Sequence, residues 1–183
     1  MIKLDNLVDE YKTPEGLANM IRDLDKITLD HSIRVCNISR LVEKELGFND
    51  TILSESGLYH DIGKYYITPK ILNKNCGLND LEKYIIDTHA YLSYRILNYY
   101  NINRSIQLIA LFHHKINNTT IDNIDESIIY KSIILKTIDI FEALTANRTY
   151  HLAISNNDAI DKIINSISQY DNDTINILKR YYA

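Results

Sequence analysis

Adjacent His60 and Asp61, followed three residues on by Lys64, put an imidazole, a carboxylate and an ammonium within one helical turn. These are the components of half a metal-phosphate site. The other half is strung along the chain in order. His31 lies upstream, His89 and the adjacent His113 and His114 follow, and Asp139 closes the series, so five of the six histidines join two aspartates. His151 is left over and reads as a surface residue.

Each histidine alone has an ordinary reading. At about 100° per residue His31 lies within roughly 40° of Val35, on the apolar stripe of its helix. His89 shares a face with Ile85, Ile86 and Leu92. A lone core-facing histidine is more often a satisfied hydrogen-bonding group than a ligand. Taken together they read differently, because burying several imidazoles and carboxylates in one core is unfavourable unless a cation compensates. Asp61 follows the apolar-leaning Gly57, Leu58 and Tyr59, and Asp139 stands between Ile138 and Ile140, unusual settings for a solvated acid. Imidazole with carboxylate and no thiolate suits iron, manganese, cobalt, nickel or zinc. Seven candidate donors exceed what one tetrahedral ion takes. Two divalent ions roughly 3.5–4 Å apart, sharing a carboxylate, would use them all and leave open positions for a phosphate.

The elements that must carry these groups are helical. Apolar residues recur at three and four along most of the chain, and 5 Gly and 2 Pro in 183 residues give little turn punctuation. The spacing predicts a helix over 28–46, capped by Thr28 and stopped at Gly47, and a second over about 49–62, ended by Gly63. Residues 64–79 read as an irregular connection long enough to be functional. Helices follow over 80–99, 103–114 and 127–146, with a polar loop over 115–126 and an amphipathic tail over 158–182. We expect one helical domain over 1–183, its motif-bearing core about 28–155. A net charge of −4 argues against nucleic acid or an anionic membrane as partner. Cys36 and Cys76 form no C-x-x-C, which points to a reducing, cytoplasmic compartment. No run approaches the roughly 20 apolar residues of a membrane span, and the N-terminus does not read as a signal peptide. A homodimer is expected on base rate alone.

The ordered pattern H…HD…H…HH…D resembles the HD-domain superfamily of metal-dependent phosphohydrolases. More narrowly, HDIGK at 60–64, ITPKILNKNCGLNDLE at 67–82, HH at 113–114 and DIFEALTANRTY at 139–150 are similar to the HD-GYP branch, which cleaves cyclic di-nucleotides. The likeness spans about residues 31–155. It implies an all-α, single-domain helical bundle of the HD-domain type. It also implies that His31, His60, Asp61 and Asp139 hold one ion, and that Asp61 bridges to a second held by His89, His113 and His114. Asp61 and Lys64 would be catalytic, and Lys64 and Arg148 would bind the substrate phosphate. The implied reaction is attack of a metal-activated hydroxide on a small phosphorylated molecule, a nucleotide or another phosphate ester. Glu142 and Thr145 lie in the terminal motif, where helix packing or capping is their expected role. Tyr65 and Tyr66 are placed to stack a base or to pack in the core. After the paired histidines the chain reads KINNTTIDNIDE, without the Gly-Tyr-Pro of that branch. Ile27 stands four residues before His31, where some members carry an extra acidic ligand, so two ions are expected rather than three. The alternatives are a cyclic di-nucleotide phosphodiesterase of divergent HD-GYP type and, outside enzymes, a metal-loaded module that signals by docking.

Overall fold

In the computed structural model, which describes residues 2–114, 124–147 and 152–183, polar caps and helix breaks set the element boundaries. Helices α1 (Leu4–Glu10) and α2 (Glu15–Arg22) precede the long α3 (Lys26–Leu46). The cap of α3 is Asp25 rather than Thr28. Its carboxylate accepts from the Ile27 and Thr28 N–H groups at 3.2 Å, and Thr28 is buried within the first turn. Gly47 ends α3 in the left-handed region at φ 71°, as expected of a glycine stop.

Helix α4 (Ile52–Tyr59) is shorter than the sequence pattern predicts, and residues Ile62–Tyr66 form a 3-10 turn instead of its continuation. The short α5 (Pro69–Leu72) lies inside the expected connection. The expected helix over 80–99 is divided at Thr88 into α6 (Asp80–Asp87) and α7 (His89–Tyr99). A capping box of Asn79 and Glu82 starts α6, and the Thr88 hydroxyl donates to the Ile85 carbonyl at 2.6 Å where it ends. Then come α8 (Arg104–Phe112) and α9 (Glu126–Thr145). The tail splits into α10 (Asn156–Ser166) and α11 (Asn172–Tyr182), because Asp171 caps a new helix through the Thr174 N–H at 2.7 Å. The all-α expectation holds, with no strand among the described residues.

Two apolar clusters hold the helices. One joins Val35 and Val42 of α3 to Leu53, Ile109, Ile138, Phe141, Ile160 and Leu178. The other joins Cys36 to Leu7, Leu17, Ile21, Tyr59, Ile62, Leu97 and Ile106. Neighbouring positions of α3 thus serve both clusters, which fixes the rotation of that helix about its axis.

The turn after α4 is fastened to α7 by two hydrogen bonds and one close approach. Ser93 Oγ donates to the His60 carbonyl at 2.6 Å and accepts from the Gly63 N–H at 2.9 Å. A Cβ on Gly63 would stand 2.1 Å from the His89 carbonyl oxygen and 2.7 Å from the Ser93 nitrogen, both backbone atoms that cannot swing away. Gly63→Ala is therefore expected to push α7 from the turn at a cost of about 3 kcal/mol or more. Ser93→Ala, which leaves two buried backbone groups unpaired, should cost about 1–3 kcal/mol. Urea unfolding measures both, and an unchanged midpoint in Gly63→Ala would contradict this packing.

Candidate metal centre

Five helical elements bring the sequence-predicted residues together. His31 comes from α3, His60 and Asp61 from the junction of α4 and the 3-10 turn, and His89 from the first position of α7. His113 and His114 follow α8, and Asp139 lies on α9. All but His114 are buried, and His60 and His113 are wholly inaccessible. Their donor atoms converge in three overlapping groups, each within 4.8 Å: His31, His60 and Asp61; His60, His113 and Asp139; His89, His113 and His114.

Asp61 stands between the two ends of this constellation. Its Oδ2 lies 3.6 Å from His31 Nε2 and 3.4 Å from His60 Nε2, whereas its Oδ1 lies 3.2 Å from His89 Nε2. Asp139 Oδ1 faces His31 Nε2 at 3.0 Å and His60 Nε2 at 3.9 Å. Lys64 Nζ pairs with Asp61 Oδ2 at 2.5 Å, so the cation expected at this pocket is present. A small opening beside it is lined by Asp25, Thr28, His31, Lys64 and Asn73, which brings the 64–79 connection to the centre.

Backbone carbonyls select the tautomers. Nδ1 of His60 faces the Gly57 carbonyl at 2.9 Å, that of His89 the Ile86 carbonyl at 2.6 Å, and that of His113 the Ala110 carbonyl at 2.7 Å. A carbonyl only accepts, so each neutral ring carries its proton on Nδ1 and turns a bare Nε2 inward. Burial lowers His60, partly opposed by Asp61 and Asp139. It takes His89 down to about 4, and it holds His113, which also faces other imidazoles, well below the ordinary value. Burial would raise Asp61, but Lys64 and the imidazoles hold its carboxyl well below the usual range. Asp139 is likewise held low, by His31 above all, against the effect of burial.

The Nε2 atoms of His60, His89 and His113 therefore face their neighbours without a proton to share. His89 and His113 Nε2 stand 3.4 Å apart, both as acceptors, and His114 Nε2 is 3.1 Å from His89 Nε2. His60 Nε2 and Asp61 Oδ1 are buried with no hydrogen-bond partner among the described residues. Inward lone pairs, ionised carboxylates and orphaned buried acceptors fit divalent cations.

A family model for the HD domain matches residues 28–165. The chain belongs to the HD domain family. A cyclic di-GMP phosphodiesterase of Pseudomonas aeruginosa is 28% identical to it over an alignment of 159 residues that covers 79% of this chain and 38% of that protein. The 3'3'-cGAMP-specific phosphodiesterase 3 of Vibrio cholerae is 33% identical over an alignment of 134 residues that covers 69% of this chain and 29% of that protein. This HD domain chain thus spans about a third of the length of these relatives. The HD domain of the L. monocytogenes phosphodiesterase PgpH, solved in complex with cyclic-di-AMP, shares the fold at TM-score 0.67 and 21% identity, covering 92% of this chain and 94% of that one. No helix among the described residues is long and apolar enough to cross a membrane.

The HD domain carries one site residue that sequence reasoning assigned to packing. Glu142 is buried on α9, with Oε2 on His31 Nδ1 and Oε1 on the Arg34 Nε–H. Burial lowers His31, but the hydrogen bonds it donates to Asp139 and Glu142 outweigh it and raise the imidazole overall. Glu142 thus orients His31 as the carbonyls orient the other rings. Its sequence signal was its place three residues after Asp139, on the same helix face. Thr145 does pack as expected, its hydroxyl donating to the Phe141 carbonyl at 2.9 Å. Tyr65 and Tyr66 are exposed and stack edge to face on each other, so neither belongs to the core. Arg148, His151 and residues 115–123 lie outside the described residues.

Partners that orient a metal-binding histidine typically contribute about 10–100-fold in metal affinity. Glu142→Gln is expected to weaken manganese binding by about that factor while far-UV circular dichroism stays unchanged. Unaltered affinity by calorimetry would remove Glu142 from the centre.

Proposed function

We propose that this HD domain binds two divalent transition-metal ions and hydrolyses a phosphodiester bond, with a cyclic dinucleotide as substrate. His31, His60, Asp61 and Asp139 would hold one ion, and Asp61, His89, His113 and His114 the other. The observation that carries this reading is the division of Asp61, whose two oxygens face different groups of imidazoles. When bound, such ions supply Lewis-acid activation of water and neutralise phosphate charge. Iron, manganese, cobalt, nickel and zinc all accept this donor set.

The chain's own groups divide the remaining work. Asp61 and Asp139, held ionised, supply the negative charge that two dications require. Glu142 and the three carbonyls keep the imidazoles from turning. Lys64 holds Asp61 from the rim of the pocket with 18% of its side chain exposed, so its ammonium is within reach of an arriving phosphate oxygen. Cyclic dinucleotides are favoured as substrate because the curated relatives are named as phosphodiesterases of cyclic di-GMP and 3'3'-cGAMP. Their only phosphates are internal diesters, so one hydrolysis gives a linear dinucleotide.

Metal-stripped protein, reloaded with manganese or iron, is expected to linearise at least one of cyclic di-GMP, 3'3'-cGAMP and cyclic di-AMP. Asp61→Ala should lose both ions and turnover. Lys64→Met should keep the ions and lose about 10²–10³-fold in kcat/KM. Turnover that survives Asp61→Ala, or metal-loaded protein silent on every cyclic dinucleotide but active on other phosphate esters, would contradict the respective parts of the reading.

A further inference from the structure

Behind His31, on the side away from the aspartates, lies a cavity of about 710 Å³. Its walls include Arg34 of α3, Phe141, Glu142 and Thr145 of α9, Asn147, and Tyr182 at the end of α11. The volume falls within the roughly 300–1,000 Å³ of small-molecule sites. The amides around it are committed to the walls: Asn147 accepts from the Ala153 N–H at 3.1 Å, and Asn156 donates to the Tyr182 carbonyl at 2.6 Å. The charge in the lining belongs to Arg34 and Glu142, which are paired through Arg34 Nε and Glu142 Oε1. Among the described residues Arg34 Nη1 and Nη2 have no partner, and 32% of the side chain is exposed. Phe141 and Tyr182 set an edge-to-face ring pair, 5.7 Å between centroids, in the same lining.

We propose that this cavity is a second ligand site for a small molecule with a phosphate or carboxylate on a planar, apolar body. The terminal guanidinium nitrogens would take the anion in their planar fork, and the ring pair would take the body. The site is wired to the centre through one carboxylate, since Glu142 touches Arg34 with Oε1 and His31 Nδ1 with Oε2. An anion on Arg34 offsets the positive field at Glu142, which then accepts more strongly from His31 and makes His31 Nε2 a better donor to an ion. By linkage, an ion at His31 tightens the anion by the same factor. This coupling rests on the metal reading above, whereas the binding itself does not.

Calorimetric titration of the metal-stripped full chain with AMP and, separately, benzoate tests the site and separates a phosphate from a carboxylate source. At least one probe should bind saturably, one per chain. Arg34→Gln should weaken it about ten-fold or more. Ala146→Trp should abolish it, because the indole fills the cavity from a position with extended backbone, φ −89° and ψ 139°, without replacing Arg34 or Glu142. With the probe present, wild-type manganese affinity should rise about five-fold or more, and that of Ala146→Trp should not. Absence of binding at millimolar probe, or binding that persists in Ala146→Trp, overturns the proposal. Binding with unchanged manganese affinity supports the site and overturns the coupling.

Discussion

Two hydrogen-bond acceptors facing each other in a buried space must share a cation or move apart, and the centre of this protein is assembled from such pairs. His60, His89 and His113 each commit Nδ1 to a carbonyl three residues earlier and turn Nε2 inward. Asp61 and Asp139 meet those nitrogens as ionised carboxylates. The arrangement is unfavourable on its own, and the rest of the fold can be understood as what holds it in place. Apolar packing on both sides of α3 supplies the rigidity, and the Ser93 and Gly63 contacts carry it to the turn that bears Asp61.

Helix ends do the orienting. The last carbonyls of a helix lack intrahelical partners, and here imidazoles provide them. His60 follows α4 as its C-cap and His113 follows α8 in the same position, while His89 stands just past the end of α6. One N–H thereby satisfies a stranded carbonyl and sets a tautomer. His31 lies within α3, beyond the reach of such a carbonyl, and there Glu142 takes the role from α9. The helix breaks at Thr88 and after Tyr59 are thus part of the site rather than interruptions of the fold.

This division explains what could be read from the sequence. The histidine and aspartate series was legible because its order and types are unusual and because acids and imidazoles stand among apolar neighbours. The helical class was legible from spacing. The break at Thr88 was not, since Ile85, Ile86 and Leu92 keep a helical period across it and periodicity does not register a change of axis. The cap of α3 was misplaced because Asp25 and Thr28 are both competent caps, and burial of Thr28 decides between them. Glu142 was hidden for a related reason: a glutamate inside a helix has many ordinary uses, and its partners, His31 and Arg34, are 111 and 108 residues away.

On the two-ion reading one carboxylate, Asp61, joins two separate sets of imidazoles, each of which would hold its own ion. Metal content per chain, measured by elemental analysis on wild type beside His31→Ala and His113→Ala after manganese loading and desalting, tests it most directly. Two ions are expected in the wild type and one in each variant, lost from opposite ends of Asp61. A wild type that retains no more than one ion, or variants that both keep two, would contradict it.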